Sequence, residues 1–506
     1  MKKLILLLLL SSQIFAQNNS LPRSTPEAEG MSSEKISNFI NAAKEKNFEF
    51  HSLMLIRHGK VVAEGWWNPY RADLKHTMYS VSKSFTATAV GFAVAEKLLT
   101  ADDKVISFFP DKLPAEISPN LTALRIKDLL SMSVGMEKEP MVMVVNDDWA
   151  KVFLNWKIEN EPGTKFLYNS AATYMLSAIV QKVTGQRVID YLKPRLFEPL
   201  GIEGIDWETD PQGTNTGGWG LRLKTEDMAK FGQLFLQKGK WNGKQIIAES
   251  WVEEASTKKI LQNPSASQAK RDSSDWMQGY CYQMWRSRNN SYRGDGAMGQ
   301  FIIVLPEKDA VIITTAEIQD MQAEFNLIWE HLLPAFESEK PLKKSKNTAK
   351  LKAQLAALAL PINAPSLHTQ KDTIISNKTY SLKSKTPNEI SFDFKNDLCT
   401  LTLKQDTVSY QIPFGNGKWA LSETNRFGPY LVAAAKNNRV GLNPFKVAGS
   451  YSWLSDKKIV FNLRYIESPH TESIMCEFDK DKILVDFETI FNRSQKRKPI
   501  EGSLKE

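Results

Sequence analysis

The stretch Ser80–Leu99, SVSKSFTATAVGFAVAEKLL, joins a serine and a lysine to a long run of small and apolar residues. This composition predicts a helix. Residues i and i+3 of a helix share one face, so we expect Lys83 beside the Ser80 hydroxyl. A hydroxyl is a poor nucleophile unless a neighbour takes its proton, and a lysine desolvated among apolar side chains is neutral enough to do so. The stretch therefore predicts a nucleophile, Ser80, and its base, Lys83.

The S-x-x-K spacing is weak evidence by itself. The chain repeats it at four other places, none followed by a helix rich in small and apolar residues: Ser32–Lys35, Ser256–Lys259, Ser267–Lys270 and Ser455–Lys458. In the alternative interpretation, Ser80 only caps the helix and Lys83 is a solvated side chain of the first turn.

A second motif is the segment 161–170, EPGTKFLYNS. Its Pro-Gly pair predicts a turn and Ser170 a helix cap, which places Tyr168 at a loop-to-helix junction, where side chains reach clefts. A phenol beside Lys83 would relay protons, with its pKa lowered by the cation. The alternative is a core tyrosine of an amphipathic segment.

Two β-hairpins are predicted on either side of a helical middle. Apolar runs flank a short turn at 53–67, LMLIRHGKVVAEGWW, and again at 301–315, FIIVLPEKDAVIITT. Helical periodicity is found at Ser80–Leu99, Ile126–Ser131, Ser170–Val183, Thr225–Gln237 and Phe325–Leu333. The fold class is therefore α+β, an antiparallel sheet flanked by helices with a helical insert.

The last part of the chain has a different pattern. A lysine-rich stretch and a proline-containing linker precede short alternating segments such as LCTLTL and KILVDF, which predict a small β-sandwich or barrel. The predicted organisation is a signal peptide at 1–16, an α+β domain at 26–336, a linker at 337–371, an all-β domain at 372–495 and a basic tail at 496–506.

The first residues indicate export. Lys2 and Lys3 precede an apolar run at 4–10, and Ala16 supplies the small residue of a cleavage site. The run is too short to span a bilayer, so we expect a periplasmic or secreted protein without a membrane span. The formal net charge of +8 falls to +6 without the two leader lysines. Much of the excess is confined to linker and tail, so nucleic acid is not an expected partner.

Three cysteines are too few for a disulfide framework. Cys399 and Cys476 lie in step with neighbouring apolar residues and are predicted to point into the β core. They are either bridged or two buried thiols.

With these motifs, the region 26–336 resembles the class C-like branch of the serine β-lactamase and penicillin-binding-protein superfamily, which includes esterases, D-aminopeptidases and the 6-aminohexanoate-dimer hydrolase type. Further stretches similar to the family are 129–135 (LLSMSVG), 217–221 (GGWGL), 225–231 (TEDMAKF) and 243–247 (GKQII). The resemblance implies that Ser80 is the nucleophile, Lys83 its paired lysine and Tyr168 the tyrosine of the Y-x-N motif, without cofactor or metal.

The sequence departs from the family at two points. Ser170 stands where the family often has a substrate-binding asparagine, and the third motif, Lys/His-Thr-Gly, has Gly294-Asp295-Gly296 as its best placement. At this substrate-binding position Asp295 would repel the carboxylate of a β-lactam and attract an amine, so efficient penicillin hydrolysis is not expected. The alternative for Asp295 is a turn residue between glycines.

The resemblance also implies an oxyanion hole made by the Ser80 N–H and a second N–H near Gly299 or Gln300. Among the aromatic residues, Trp149 and Tyr282 are expected to line the substrate pocket. No G-x-S-x-G, H-E-x-x-H or P-loop is present. None of the six histidines lies in a motif, and His76 is expected in a surface position or turn.

The sequence thus favours an exported serine hydrolase that forms an acyl-enzyme on Ser80 and hydrolyses an amide or ester bond of a small molecule or short peptide. Two alternatives stay open: a D,D-peptidase or D-aminopeptidase on peptidoglycan fragments, and a non-catalytic wall-ligand binding or sensor protein. The sequence does not define the oligomeric state.

Overall fold

The computed structural model describes residues 20–366, 370–437, 442 and 444–505. The predicted signal peptide lies outside the described residues. Within the described ranges, no helix combines the length and the apolar character that crossing a bilayer requires.

Fourteen α-helices are formed by the described residues. In chain order, α1–α14 are Ser33–Glu45, Ser82–Ala95, Pro119–Ala123, Ile126–Leu130, Trp149–Leu154, Ser170–Thr184, Val188–Leu192, Glu198–Leu200, Thr225–Leu236, Glu249–Ser256, Gln268–Asp272, Met321–Leu327, Asn347–Ala356 and Gln370–Ile375.

Twenty-one strands accompany them in the described ranges. In chain order, β1–β21 are Phe50–Arg57, Lys60–Trp66, His76–Thr77, Asp206–Trp207, Leu221–Leu223, Lys240–Trp241, Lys244–Gln245, Trp285–Ser287, Ser291–Gly296, Gln300–Leu305, Ala310–Ala316, Lys378–Leu382, Glu389–Lys395, Leu398–Gln405, Val408–Asn416, Ala420–Thr424, Phe445–Trp453, Lys458–Tyr465, Thr471–Asp479, Lys482–Thr489 and Ile500–Leu504.

The main sheet of the N-terminal domain is antiparallel, with the order β2-β1-β11-β10-β9-β8. Both predicted hairpins, β1–β2 and β10–β11, are confirmed. Along β1, Met54 and Ile56 face one hydrophobic core while Leu53 and Leu55 face another. Helices therefore cover both faces of the sheet, which explains why its central strands are almost continuously apolar.

Helix α2 lies in the interior of this domain. Nearly all of its residues are buried, so its sequence is apolar on every side rather than on one stripe. It is shorter than the predicted 80–99, because a 3-10 turn, Tyr79–Val81, precedes it and the helix ends at Ala95. Helix α6 matches its prediction within one residue and ends at Gly185, whose φ of 71° is left-handed.

The C-terminal domain is a closed barrel. Strands β12–β21 form one sheet, in which the end strand β15 also pairs with β17, next to the other end strand β16, at Gly415 and Asn416 and so closes the barrel. Cys399 and Cys476 both point into the barrel core, as predicted. Both are free thiols, so the bridged alternative is wrong.

The predicted linker and tail contain ordered elements. Helix α13, inside the linker range, packs against α1 and β2. Strand β21, inside the predicted basic tail, pairs with β12 and β20. The barrel therefore extends beyond residue 495, because closure of its sheet needs this last strand. The lysines of the region, which suggested a solvated tail, do not prevent its pairing.

Candidate active site

Ser80 lies in the 3-10 turn at the amino end of α2, and its side chain is half-exposed. Strand β9 passes closely beside this turn. A Cβ at Gly296 would come within 2.3 Å of the Met78 carbonyl oxygen, so only glycine permits this approach. Ser80 is thereby held between a helix and the edge region of the main sheet.

Lys83 is 1% exposed and faces neutral oxygen atoms. Its Nζ lies 3.1 Å from Ser80 Oγ, 3.2 Å from Ser170 Oγ and 2.7 Å from the Gly218 carbonyl oxygen. A Cβ at Gly218 would lie 3.0 Å from the Ser170 carbonyl oxygen and 3.3 Å from the same nitrogen, so any larger residue would crowd the site. The interpretation of Lys83 as a solvated first-turn side chain is wrong.

Burial lowers the pKa of Lys83 to about 7, although the negative charges of Glu139 and Asp295 oppose the shift. Desolvation penalises the ammonium form, and no carboxylate among the described residues forms an ion pair with it. A large share of Lys83 is therefore a neutral amine near pH 7, and a neutral amine can accept a proton from Ser80.

Tyr168 completes this group of side chains. Its ring centroid is 5.0 Å from Lys83 Nζ, and it stacks on Trp285 at 5.4 Å. Burial raises the pKa of Tyr168, while its hydrogen bond with Ser80 lowers it. The prediction of a lowered pKa is wrong, since desolvation of the phenolate and the negative charges of Asp295 and Glu139 all raise it. Tyr168 is a protonated phenol at neutral pH and can donate a proton.

Ser170 is the first residue of α6 rather than its cap. The cap is Asn169, whose side chain accepts a hydrogen bond from the Ala172 N–H. The Ser170 hydroxyl instead contacts Lys83. We call Ser80, Lys83, Tyr168 and Ser170 together the amine site.

Asp295 and Gly296 belong to strand β9, paired with Phe301 and Gln300. Asp295 therefore lies within a strand, and the alternative of a turn residue between glycines is wrong. Asp295 is 8% exposed and forms an ion pair with Arg293, with 2.8 Å between Arg293 Nη2 and Asp295 Oδ2. Burial raises the pKa of Asp295, and Arg293 opposes this. Its carboxylate is thus occupied by Arg293, which weakens the predicted attraction for a substrate amine.

Gly299 and Gln300, near which the second oxyanion N–H is predicted, lie where the β9–β10 turn meets strand β10. The Gly299 N–H donates to the Gly296 carbonyl oxygen at 3.3 Å, and a Cβ at Gly299 would meet Glu324 Oε2 at 2.2 Å. Gln300 is fully buried, with its side-chain amide donating to the carbonyl oxygens of Ala297 and Ala316. Gly299 is therefore a turn residue whose N–H is bonded within the turn, and Gln300 begins strand β10.

Trp149 and Tyr282 do not line a crevice. Trp149 is fully buried, stacks on Trp219 at 5.6 Å and donates from Nε1 to the Asn146 carbonyl oxygen. Tyr282 is buried against Trp251. Both predictions are wrong, since large aromatic surfaces are needed to fill the core between the helices.

His76 is also buried, in β3, and its Nε2 lies 3.1 Å from His51 Nδ1. The prediction of a surface or turn position is wrong. The pKa of His76 is lowered by burial and by the neighbouring His51.

Glu139 is a site residue that the sequence analysis missed. Its Oε1 accepts a hydrogen bond from the Ser170 N–H, and its charge acts on Lys83. It is half-exposed and lies in an irregular loop outside any motif. No signal in the sequence could have brought this loop to the amino end of α6.

The Beta-lactamase family model matches residues 39–333. This is more than half of the chain, and the chain belongs to this family of hydrolases.

Two relatives show how far the similarity reaches. The chain is 24% identical over 295 residues to the 6-aminohexanoate-dimer hydrolase of Paenarthrobacter ureafaciens, which covers 53% of this chain and 73% of the relative. It is 24% identical over 214 residues to a putative D-alanyl-D-alanine carboxypeptidase of Escherichia coli, of which it spans about half, 49%.

Among solved structures, a putative 6-aminohexanoate-dimer hydrolase from Bacillus anthracis superposes with a TM-score of 0.53 at 18% identity. The match covers 64% of this chain and 89% of that one. It supports the fold.

Proposed function

We propose that the protein is an exported serine hydrolase that forms an acyl-enzyme on Ser80 and hydrolyses an amide or ester bond. The geometry of the amine site supports this function. A half-exposed hydroxyl lies 3.1 Å from a buried amine whose pKa is about 7, with a protonated phenol beside both. These are the nucleophile, base and acid that acyl transfer requires.

The contacts of Lys83 support its role as base. A neutral amine has two N–H bonds and one lone pair. With the N–H bonds directed to Gly218 O and Ser170 Oγ, the lone pair is left for the Ser80 proton. Ser80 Oγ then attacks the carbonyl carbon of the substrate, and the new C–O bond forms as the proton moves to Lys83.

Breakdown of the tetrahedral intermediate needs a proton on the leaving group. Tyr168 donates it and recovers a proton from Lys83, so both groups return to their starting state. In the second half-reaction a water attacks the ester of Ser80, its proton passes to the same pair of groups, and Ser80 leaves as the hydroxyl. No metal or cofactor enters these steps.

Glu139 favours a substrate with a positive charge. None of the ion pairs between described residues includes Glu139, whereas Asp295 is compensated by Arg293. A half-exposed carboxylate next to the amine site attracts an ammonium and repels a carboxylate. This supports the D-aminopeptidase as the second candidate, and it agrees with the expectation that penicillins are poor substrates.

The test is covalent labelling with a fluorophosphonate probe, followed by intact-mass and peptide mapping. We expect one adduct, on Ser80, and none in the Ser80→Ala variant, which should also lose turnover of a p-nitrophenyl ester. Ser267→Ala is the matched control, because Ser267 begins another S-x-x-K but is exposed and caps a short helix.

Turnover retained in Ser80→Ala would refute the acyl-enzyme proposal. A folded wild-type protein that takes no label would favour the non-catalytic wall-ligand binding alternative. Incubation with muropeptides and mass spectrometry of the products separates a peptidase from an esterase.

A further inference from the structure

Tyr79, the residue directly before Ser80, is held by a buried chain of polar groups that reaches into the barrel. The Tyr79 hydroxyl bonds to Nε2 of His470, and Nδ1 of His470 lies 2.8 Å from Glu317 Oε1. We call Tyr79, His470 and Glu317 the imidazole chain. His470 comes from the turn between β18 and β19 of the barrel, and the other two residues belong to the N-terminal domain.

The backbone conformation of Tyr79 depends on the hydrogen bonds that fix its side chain. Its φ is +45°, in the left-handed region that a bulky residue adopts only when its surroundings enforce it. The hydroxyl is fixed by His470 and also accepts the Leu431 N–H at 3.3 Å. Because Tyr79 and Ser80 share a peptide bond, rotation of Tyr79 would move Ser80 Oγ away from Lys83 Nζ.

The chemistry of His470 matches its two partners. Burial, together with the nearby His51, lowers the pKa of His470 to about 3. The imidazole is therefore neutral and offers one N–H and one lone pair. One nitrogen meets Glu317 and the other meets the Tyr79 hydroxyl, so the ring is satisfied on both sides and its position is fixed.

We propose that His470 is a positioning residue for the nucleophile: the barrel, through His470 and Tyr79, holds Ser80 at its working distance from Lys83. The inference rests on the proposed role of Ser80. In this inference the C-terminal domain affects the reaction by positioning Ser80, without contacting the substrate.

The same interface supplies a matched control. Tyr70 donates from its hydroxyl to the Ser468 carbonyl oxygen at 3.0 Å, in the same barrel turn, but it is ten positions from Ser80 in the chain. Tyr79→Phe and Tyr70→Phe each remove one hydroxyl that bonds across the interface. Melting temperatures show whether the two changes cost similar stability.

The measurement is the rate of Ser80 labelling by the fluorophosphonate probe as a function of probe concentration. We expect Tyr79→Phe to lower the maximal rate about tenfold, with the half-saturating concentration unchanged, because misplacement of a nucleophile slows the covalent step. Tyr70→Phe should stay within about twofold of wild type, since it leaves Ser80 in place.

Substitution of His470 tests the same bond from the other side. His470→Phe keeps a ring against Phe491, whose centroid lies 4.7 Å away, but cannot bond to Tyr79. His470→Gln keeps a polar group at that point and should recover most of the rate. The double variant Tyr79→Phe, His470→Phe should be no slower than the worse single variant, because both remove one shared bond.

The inference is overturned if Tyr79→Phe labels as fast as Tyr70→Phe, or if His470→Gln is as slow as His470→Phe. If His470→Phe does not fold, the labelling rates of Tyr79→Phe and His470→Gln are each compared with that of wild type instead. A wild-type protein without label at Ser80 would instead remove the proposed function and this inference together, so the two failures are distinct.

Discussion

Lys83 and Arg293 are two buried basic side chains of the same domain, 1% and 0% exposed. Lys83 meets two hydroxyls and a carbonyl oxygen, and burial lowers its pKa. Arg293 meets the carboxylate of Asp295 and the Asp275 carbonyl oxygen. A buried cation among neutral oxygens tends to lose its proton and gain reactivity, whereas a buried cation with a carboxylate keeps its charge and supports the structure.

The largest expected effect comes from removing the amine. Lys83→Met should lower kcat for a p-nitrophenyl ester by about 10³-fold, since Ser80 loses the base that takes its proton. The melting temperature should stay nearly unchanged, because methionine fills the space without a buried polar group. Lys270→Met, in the exposed S-x-x-K of α11, is the control and should change neither quantity. A Lys83→Met protein that keeps its activity would contradict the assignment of the base.

Removing the Arg293 side chain should lower the stability of the fold, whereas removing the Lys83 amine should lower activity. Arg293→Met leaves Asp295 buried without a partner, and the expected loss in the free energy of unfolding is about 3–5 kcal/mol. Urea denaturation measures it. Arg187→Met removes an exposed ion pair with Asp190 and should cost no more than about 1 kcal/mol. Equal effects of the two changes would show that Arg293 and Asp295 do not stabilise each other.

A substitution of Tyr168 tests whether this phenol gives a proton to the leaving group. Tyr168→Phe should lower the hydrolysis of an amide by about 10²-fold, because an amine leaves only with a proton. The same variant should affect a p-nitrophenyl ester much less, since p-nitrophenolate leaves without one. Parallel assays of kcat with both substrates give the ratio. An equal loss on amide and ester would argue against Tyr168 as the proton donor.

The smallest expected effect is a shift in the pH dependence of kcat/KM. The pKa of Lys83 lies below its usual value and the active form is the neutral amine, so kcat/KM should rise through about pH 7 and level off above it. Glu139 raises the pKa of Lys83, so Glu139→Gln should move this midpoint to lower pH. Glu137→Gln is the control, since Glu137 pairs with Lys165 at the surface. A midpoint that does not respond to Glu139 would contradict the proposed coupling.

Much of the fold followed from local patterns. The two hairpins, α6 with its terminal glycine and the inward cysteines of the barrel were predictable because periodicity and turn residues act over a few positions. The contact between Ser80 and Lys83 was predictable for the same reason, since it spans three residues of one turn.

The wrong predictions of side-chain position have a different cause. Trp149 and Tyr282 were expected in a crevice, yet both fill the core. Asp295 was expected to face substrate, yet it faces Arg293, two residues away on the same strand. For Trp149 and Tyr282, side-chain direction depends on which distant segments pack against the residue, and local sequence does not contain that information. For Asp295 the partner is local, because residues i and i+2 of a strand share a face, and the sequence analysis did not consider Arg293.

The sequence alone determined the α+β and all-β character of the two domains, and it predicted Ser80, Lys83 and Tyr168 as candidate catalytic residues, because both depend on spacing and periodicity. Only the tertiary structure brought Gly218 to Lys83 across 135 residues, Glu139 to the start of α6, and His470 to Tyr79 across 391 residues. The physical reason is that desolvation and the satisfaction of buried polar groups are properties of packing. They arise only when distant segments close around one another.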